Sequence, residues 1–225
     1  MEQYAIKSHS SPMVAPVGEQ IFREHAGVRE HGRNAMIYAS GEPAGEAYLV
    51  AEGEVKISRY TADGRELTLE HLGPGAVFGE VELMLGRPRD SQAVARTDCT
   101  LHALDREALL ALVSDQMPFG LWLTRRVTER QVRMESRLET LLFKSANGKV
   151  AEVLLRLAEE YGTPIPGGTL IDYPITHQEI GNLIATTRET VSYAFMEFRQ
   201  RGLISTRQRK TVILDPDTLE LLAQD

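Results

Sequence analysis

The chain of 225 residues is long enough for two modest domains or one large one, and its 42% hydrophobic and 25% charged residues are ordinary for a soluble globular protein. Its single cysteine, Cys99, excludes an intramolecular disulfide, a cysteine-ligated iron–sulfur cluster and a cysteine-built zinc site, and we expect it in the core. No apolar run is long enough to cross a membrane and the first residues have no signal-peptide pattern, so we expect a cytoplasmic protein.

The first half of the chain predicts a β-barrel. Residues 1 to about 30 show little periodicity beyond a short helix around Glu19–His25, and we expect an irregular arm there. From Asn34 to Leu104, short alternating segments, AVFGEVEL among them, are separated by Gly- and Pro-rich turns, which favours a sandwich or jelly-roll barrel. Asp63-Gly64 between two alternating runs indicates a hairpin.

A long helix is predicted next. Asp105 caps a short helix, and from Pro118 a helical pattern continues to about Phe143. One side of it recurs at alternating spacings of three and four residues, as in a coiled coil that pairs two subunits, while Arg130 and Arg137 are among the charged outer positions. The seam positions are Val127, Gln131, Met134, Leu138 and Leu141. A lone amphipathic helix packed on its own barrel is the alternative.

Small and turn-forming residues predict a hinge at Lys144–Gly148, followed by a helix, VAEVLLRLAEEYG, that ends at Gly162. We therefore expect three parts. They are an N-terminal arm and β-barrel over residues 1–117, a long helix and hinge over 118–147, and a C-terminal domain over 148–225.

The stretch Thr176–Phe198 predicts two short helices joined by a tight turn. Thr176 and Glu179 have the capping-box spacing, and Thr187 is a natural N-cap for the second helix. Polar residues gather near the N-terminal end of that second helix: Arg188, Glu189, Ser192 and Tyr193. This is the end that a recognition helix inserts into the DNA major groove.

A basic hairpin, or wing, is predicted after these helices in RGLISTRQRKTVIL. From Pro174 to Leu214, six Arg and Lys residues stand against three Glu residues, so this region is locally positive although the formal net charge of the chain is −7. A negative net charge argues mildly against nucleic-acid binding, but the local excess of positive charge in this region matters more.

A barrel with a Gly-Glu loop, a long helix, a hinge and a winged helix–turn–helix resemble the CRP/FNR family of bacterial transcription regulators. The similarity extends from about residue 20 to 215, and ITHQEIGNLIATTRETV, the following GLIS and the cassette-like GPGAVFGEVEL carry it. The resemblance implies an α+β protein with a cupin-like, cyclic-nucleotide-binding-like jelly-roll barrel, a dimerisation helix and a C-terminal winged helix–turn–helix. It also implies a homodimer that binds a palindromic site in double-stranded DNA, recruits RNA polymerase as an activator, and has no membrane partner.

The resemblance also assigns DNA contacts. Arg188 and Glu189 fall on two base-reading positions, and their side chains suit guanine and cytosine. Tyr193 stands where the cyclic-AMP receptor subgroup has a second guanine-reading arginine, so we expect a half-site related to TGTGA but altered at its outer G·C pair. Contacts to phosphates are expected from Thr176, Gln178, Thr187, Ser192, Arg207, Arg209 and Lys210, although any one wing cation is equally well a solvated surface charge.

The effector pocket departs from the family pattern. Gly79-Glu80 match the opening of the phosphate-binding cassette, but counting forward to its arginine arrives at Asp90, followed by the expected Ser91. A carboxylate there repels a cyclic phosphate. Arg89 could substitute if the loop shifts by one residue, and Arg87 is a further candidate, but Pro88 between them limits this freedom.

On the long helix, Met134 and Glu135 replace the two hydroxyl residues that face the adenine in cyclic-AMP receptors. We therefore expect no cyclic AMP in the usual manner, no resident cofactor, and control by protein abundance. The alternative is a ligand-switched regulator. Arg130 and Glu135 match the spacing that 2-oxoglutarate-sensing nitrogen regulators use, although Glu80 stands where those regulators have an apolar residue.

Catalysis and metal binding are not expected. One cysteine excludes the cysteine cluster of oxygen sensors, the histidines lack a haem-ligand signature, and no nucleophile elbow, metal-ligand spacing or P-loop is present. A further non-enzyme alternative is a cyclic-nucleotide-binding module that acts on a protein partner. The recognition face and the basic wing favour DNA over that reading.

Overall fold

A computed structural model describes residues 16–62, 64–207 and 210–224, with all their side chains except that of Glu139. The helices are α1 Val17–His25, α2 Glu80–Leu85, α3 Arg106–Asp115, α4 Met117–Phe143, α5 Ala146–Tyr161, α6 His177–Leu183, α7 Arg188–Gln200 and α8 Pro216–Leu222. The strands are β1 Gly27–His31, β2 Met36–Tyr38, β3 Glu46–Glu52, β4 Val55–Tyr60, β5 Glu66–Leu72, β6 Val77–Phe78, β7 Gln92–Ala95, β8 Cys99–Asp105, β9 Gly162–Ile165, β10 Gly168–Ile171, β11 Ile204–Arg207 and β12 Lys210–Ile213.

The first eight strands have jelly-roll order. They form two four-stranded sheets, β1-β8-β3-β6 and β2-β7-β4-β5, in which the first strand pairs with the eighth, the second with the seventh and the third with the sixth. Tyr48 lies opposite both Ala103 and Phe78. The third sheet, β11-β12-β10-β9, belongs to the C-terminal part of the chain.

The chain divides into two compact units. The first comprises the chain up to Lys56 together with His71–Glu129, and the second comprises Ile57–Glu70 and the chain from Arg130 onward. In the first unit, the rings of Phe22, Phe119 and Trp122 have centroids 5.7, 6.2 and 6.3 Å apart and form the centre of the core. Helix α1 belongs to this unit because its buried face carries Phe22, which is 0% exposed.

In the second unit, one face of α5 buries side chains spaced three and four residues apart, as a half-buried helix does. They pack with the buried faces of α7 and α8 and with the sheet β9–β12. The residues at the centre of this core are Val150, Val153, Leu154, Leu157, Phe195, Phe198 and Leu219. The recognition helix is therefore supported from behind by a continuous apolar core.

Several predicted boundaries change. The irregular arm of residues 1–15 lies outside the described residues, while the short helix is confirmed as α1 and Gly27–His31 forms an edge strand that was not predicted. The stretch AVFGEVEL is strand only at Val77–Phe78 and then turns into helix α2. Of the predicted hairpin turn, Gly64 has φ +80° and Asp63 is outside the described residues.

The hinge is shorter than the prediction. Helix α4 ends at Phe143, and Ser145 caps α5 by accepting a hydrogen bond from the Gly148 N–H at 3.0 Å. Asn147 therefore belongs to the first turn of α5, where its side chain donates to Glu197 at 2.7 Å. The break in the helix is confined to residues 144–145 because a good N-cap starts the next helix at once.

Candidate DNA-binding interface and effector pocket

The first helix of the pair, α6, begins with the predicted capping box. Thr176 Oγ1 accepts a hydrogen bond from the Glu179 N–H at 3.2 Å, and Glu179 Oε2 accepts one from the Thr176 N–H at 2.8 Å. Two backbone donors that the helix itself leaves free are thus satisfied reciprocally.

The turn between α6 and α7 is tight. Ala185 has φ +52°, and the Thr186 N–H donates to the Gly181 carbonyl at 2.9 Å. A Cβ at Gly181 would lie 2.9 Å from the Thr186 carbonyl oxygen, so a larger side chain would push the turn open. Thr187 Oγ1 then accepts from the Thr190 N–H at 3.2 Å and starts α7 at Arg188, as predicted.

The expected base-reading side chains all face solvent. Arg188 and Glu189 are exposed on the first turn of α7, and Tyr193 is 69% exposed one turn later. Hydrogen bonds from its own backbone N–H and from Thr187, and then the charge of Arg188, lower the pKa of Glu189. Glu189 is therefore a carboxylate acceptor at neutral pH.

The expected phosphate-contacting groups differ in how they are held. Gln178 donates to Asn182 Oδ1 at 2.8 Å, and Ser192 Oγ donates to the Arg188 carbonyl at 2.9 Å. In the wing, Arg207 is exposed at the end of β11, whereas Lys210 Nζ lies 2.5 Å from Asp172 Oδ1. Arg209 lies outside the described residues.

His177 joins the two helices, a role that the sequence did not indicate. Its ring centroid lies 4.3 Å from that of Phe195, and Nδ1 lies 2.9 Å from Ser192 Oγ. Because the Ser192 proton goes to a carbonyl, Nδ1 is the donor of this pair, which selects the Nδ1–H tautomer. Burial, and then the charges of Arg199 and Arg188, lower the pKa of His177.

In the cassette, Arg89 rather than Asp90 lies beside Gly79. The Arg89 guanidinium, 3% exposed, donates to the Gly79 carbonyl at 2.5 Å and also to the Glu46 carbonyl. Its Cζ sits 4.2 Å above the ring of Tyr38. A Cβ at Gly79, where φ is +75°, would be 2.9 Å from Arg89 Nη1, so glycine permits this approach.

The sequence count that placed Asp90 at this position is thereby corrected. After the six-residue helix α2, the loop brings Arg89 inward one residue early, and Asp90 instead lies 3.2 Å from Arg87. Burial first, and then a hydrogen bond with Asp90, raise the pKa of Glu82, whose carboxylate is 3.7 Å from Arg89. Burial raises the pKa of Tyr38, which hydrogen-bonds to the buried Ser91, to about 12. Glu80, at the start of α2, is 1% exposed.

The candidates on the long helix have local partners. Arg130 lies 3.3 Å from Glu70, Glu135 accepts a hydrogen bond from Gln131 at 3.0 Å, and Met134 is half-buried. Arg130 and Glu135, the two residues of the 2-oxoglutarate alternative, are therefore each bonded to another side chain.

Comparison with known proteins agrees with this architecture. The model of the cyclic nucleotide-binding domain matches residues 28–116, and that of the Crp-like helix-turn-helix domain matches residues 148–222. The CRP-like cAMP-activated global transcriptional regulator of Mycobacterium tuberculosis is 34% identical over 83% of this chain and 84% of its own length. The chain belongs to the CRP/FNR family of transcription regulators. The predicted fold, a jelly-roll domain, a long helix and a C-terminal helix–turn–helix, is confirmed.

Another relative and a solved structure resemble this chain with about the same sequence identity and coverage. The global nitrogen regulator of Nostoc sp. is 30% identical over 83% of this chain and 85% of its own length. A solved CRP-family transcriptional regulator from Thermus thermophilus has a TM-score of 0.74 at 29% identity, covering 88% of this chain and 97% of that structure. These relatives are named as regulators, two of them as transcriptional regulators, and none is named as an enzyme.

Sequence reasoning for the CRP/FNR chain missed the role of Arg137. Its guanidinium is mostly buried rather than solvated, and it donates to the Thr68 and Leu69 carbonyls of β5 and, at 2.6 Å, to the Leu183 carbonyl at the end of α6. Burial, and then the charge of Arg156, lower its pKa. Its charge made it look like an outer position of α4, and no periodic signal distinguishes a buried arginine from an exposed one.

Two negative findings hold for the described residues only. No group of His, Cys, Asp or Glu there is arranged to hold a metal ion. None of the helices formed by those residues combines the length and apolarity needed to cross a membrane.

Proposed function

We propose that this CRP/FNR-family regulator acts as a homodimer that binds a palindromic, TGTGA-related DNA site and activates transcription through RNA polymerase. The observation that supports it most directly is the exposed set Arg188, Glu189 and Tyr193 on the first turns of α7, opposite a face that is buried in the core. The capping hydrogen bonds hold the N-terminal end of this helix in place for insertion into a major groove.

The chemistry of the three side chains supports a half-site with one altered position. The Arg188 fork suits guanine O6 and N7, and the Glu189 carboxylate suits the cytosine amino group, each good pair contributing about 1–3 kcal/mol of discrimination. Tyr193 has one hydroxyl and a planar ring in place of an arginine fork. The outer G·C pair is therefore expected to be read less strictly than the inner ones.

Phosphate contacts supply affinity and register. Thr176, Gln178, Thr187 and Ser192 lie on or beside the two helices, and Arg207 and Lys210 lie on the wing, so both groups can meet the backbone that flanks one major groove. The affinity is expected to fall with salt because these contacts release counterions.

The test is a selection of bound duplexes from a random pool, followed by titrations at several salt concentrations. We expect a palindrome of TGTGA-like halves with a relaxed outer pair. Arg188→Ala should weaken binding to the selected site by roughly 5- to 150-fold. The matched control is Arg201→Ala, which removes an exposed arginine at the opposite end of α7. No sequence preference, or equal effects of the two substitutions, would refute sequence reading by Arg188.

The activator part has its own test, transcription by purified bacterial RNA polymerase from a promoter carrying the selected site. Added protein should increase the transcript, and Arg188→Ala should remove the increase. A decrease in the transcript would instead assign the protein to repression.

For the barrel, the sequence favours a regulator without a small-molecule effector or resident cofactor, controlled by its abundance. The position of Arg89 favours a second candidate, control by a cyclic nucleotide. A buried guanidinium beside Gly79 and Glu80 is the group that a cyclic phosphate needs, and Asp90, whose carboxylate would repel a phosphate, pairs with Arg87 instead. The relative from Mycobacterium tuberculosis is described as cAMP-activated.

Thermal stability of the whole protein separates the two candidates. If a cyclic nucleotide binds the barrel, cyclic AMP or cyclic GMP at 100 times its dissociation constant raises the stability by about 2.7 kcal/mol and changes operator affinity. Unchanged melting and operator affinity with both nucleotides would reject the cyclic-nucleotide candidate.

A further inference from the structure

A cavity of about 310 Å³ lies in the second unit where α4, α5 and the end of α6 meet. None of its lining residues belongs to the cassette or to the exposed set Arg188, Glu189 and Tyr193. Four cations line it, Arg133 and Arg137 from α4 and Lys149 and Arg156 from α5, while Glu152 is its single carboxylate. The volume of this cavity lies at the lower end of the range for small-molecule sites, so the cavity can hold a compact ligand.

The positive charge of this cavity is not neutralised from within. Glu152 is already engaged, since Lys144 Nζ lies 2.7 Å and Thr140 Oγ1 3.1 Å from its Oε2. No ion pair joins Lys149 or Arg156 to any other described residue. Four cations therefore share a space whose single carboxylate is already paired with Lys144.

The charges of Arg133 and Arg137 are also only weakly neutralised by neighbouring residues. Arg133 reaches Glu70 only at 3.7 Å, with 60% of its side chain exposed. Arg137 donates to three carbonyl oxygens, which carry no formal charge. Like charges gathered in this way repel each other: burial first, and then the charge of Arg156, lower the pKa of Arg137. A chain with a formal net charge of −7 has no general excess of cations that would explain the cluster.

The walls of the cavity indicate what kind of anion fits. Val132, Leu141, Val153 and Ile184 supply an apolar side, while the Ser136 and Thr140 hydroxyl groups already donate to the Val132 carbonyl and to Glu152. Guanidinium groups bind phosphate oxygens through paired hydrogen bonds, and a lysine adds a point charge. A phosphate group on a small organic body satisfies the cations and the apolar wall together, whereas an inorganic ion satisfies only the cations.

We propose that this cavity binds a small phosphorylated organic molecule with at least two negative charges, held by Lys149, Arg156 and Arg133 and bordered by Arg137. Because Arg137 also bonds to the Leu183 carbonyl, the bound anion lies one side chain from the end of the first helix of the DNA-binding pair. Its binding is expected to tie α4 to α5 and to slow hydrogen exchange in both helices.

The proposal does not depend on DNA binding or on a barrel ligand, and its test uses the full chain at low salt. AMP, pyrophosphate and succinate are titrated by calorimetry, with hydrogen–deuterium exchange to locate binding. We expect AMP to bind more tightly than pyrophosphate, and pyrophosphate more tightly than succinate, with protection in residues 130–160. Lys149→Gln with Arg156→Gln should weaken AMP binding by at least about 10-fold.

The control is Arg125→Gln, which removes an exposed arginine of α4 that does not line the cavity and should leave AMP binding unchanged. Circular dichroism shows whether the double variant keeps its fold, and a variant carrying only Arg156→Gln, an exposed residue, replaces it if it does not. Three results would overturn the proposal. They are no binding of any of the three anions, equal AMP binding by wild type and variant, and protection confined to the barrel strands.

Discussion

A single histidine connects the two helices that meet DNA. The His177 ring packs on Phe195 and donates to Ser192, so one side chain fixes the position of a recognition-helix residue from the neighbouring helix. Burial is the main reason that the pKa of His177 is lowered. The folded protein therefore holds this ring neutral at a pH where the unfolded chain already binds a proton.

The pH dependence follows from this sign. Below the ordinary histidine pKa of about 6.5, His177 binds a proton in the unfolded chain but stays neutral in the folded protein. Stability is therefore fully present above that pH and is lost as the pH falls toward the folded pKa. We expect urea unfolding between pH 7 and pH 5 to show a smaller loss in His177→Gln than in wild type. His102, whose pKa is also lowered, is present in both proteins and cancels from the difference.

Ser192→Ala serves as the matched variant for this measurement. It removes the hydrogen-bond partner but leaves the half-buried ring against Phe195, so the wild-type pH dependence should persist. Equal slopes for wild type and His177→Gln would contradict the assignment, and a slope lost only in Ser192→Ala would move the cause from burial to the hydrogen bond.

The elements that the sequence predicted are those with local signals. Helix ends could be predicted from capping and turn-forming residues in the sequence. The structure places helix ends at these signals, which are Asp105, Thr176, Thr187 and the break before Ser145. Strand β1 was missed because its five residues are almost all exposed, so they do not alternate between apolar and polar. Helix α2 was missed because a six-residue helix with a glycine N-cap resembles a short strand in sequence.

The effector pocket was harder to predict for a different reason. Counting along a loop assumes a fixed length, and one residue decides whether Arg89 or Asp90 points inward. Only the path of the backbone after α2 settles this, and that path depends on packing against Tyr38 and the Gly79 carbonyl. Arg137 was misjudged similarly, because burial of an arginine depends on carbonyl groups that are distant in sequence.

At the level of elements, Arg137 joins three of them: α4, β5 and the end of α6. Arg137→Leu would leave three carbonyl oxygens without their donor, and we expect the free energy of unfolding to fall by about 1.5–3 kcal/mol. Hydrogen exchange should speed up in β5 and in the last turn of α6. Arg137→Lys should recover only part of this, because an ammonium group cannot reproduce the planar fork.

The comparison is sharpest with Arg133→Leu, an arginine one turn away that is 60% exposed and pairs only at 3.7 Å. A surface pair of this kind contributes at most about 1 kcal/mol. If Arg137→Leu and Arg133→Leu destabilised the protein equally, with no change in the hydrogen exchange of β5, the contacts of Arg137 with β5 and α6 would have no special role in stability.

For the whole molecule, the question is whether α4 pairs two chains. Val127, Gln131 and Leu138 of the predicted seam are exposed, with Leu138 at 51% and Val127 at 36%. Met134 is half-buried, and Leu141 packs against the core of the second unit. The seam positions Val127, Gln131 and Leu138 are thus accessible to a partner chain. Leu141, the last seam position, packs in the subunit's own core. Recognition helices held by such a pair would lie about 34 Å apart, one turn of B-DNA.

Leu138→Glu tests this arrangement, since a carboxylate at the centre of a paired seam would be buried without a partner. We expect sedimentation to show dimers for wild type and monomers for the variant, with operator affinity greatly reduced because each half-site is then bound alone. Ser136→Glu introduces the same charge on α4 two residues away and outside the seam, so it should remain dimeric. A Leu138→Glu protein that stays dimeric and binds its operator as wild type does would show that the chains associate through another surface.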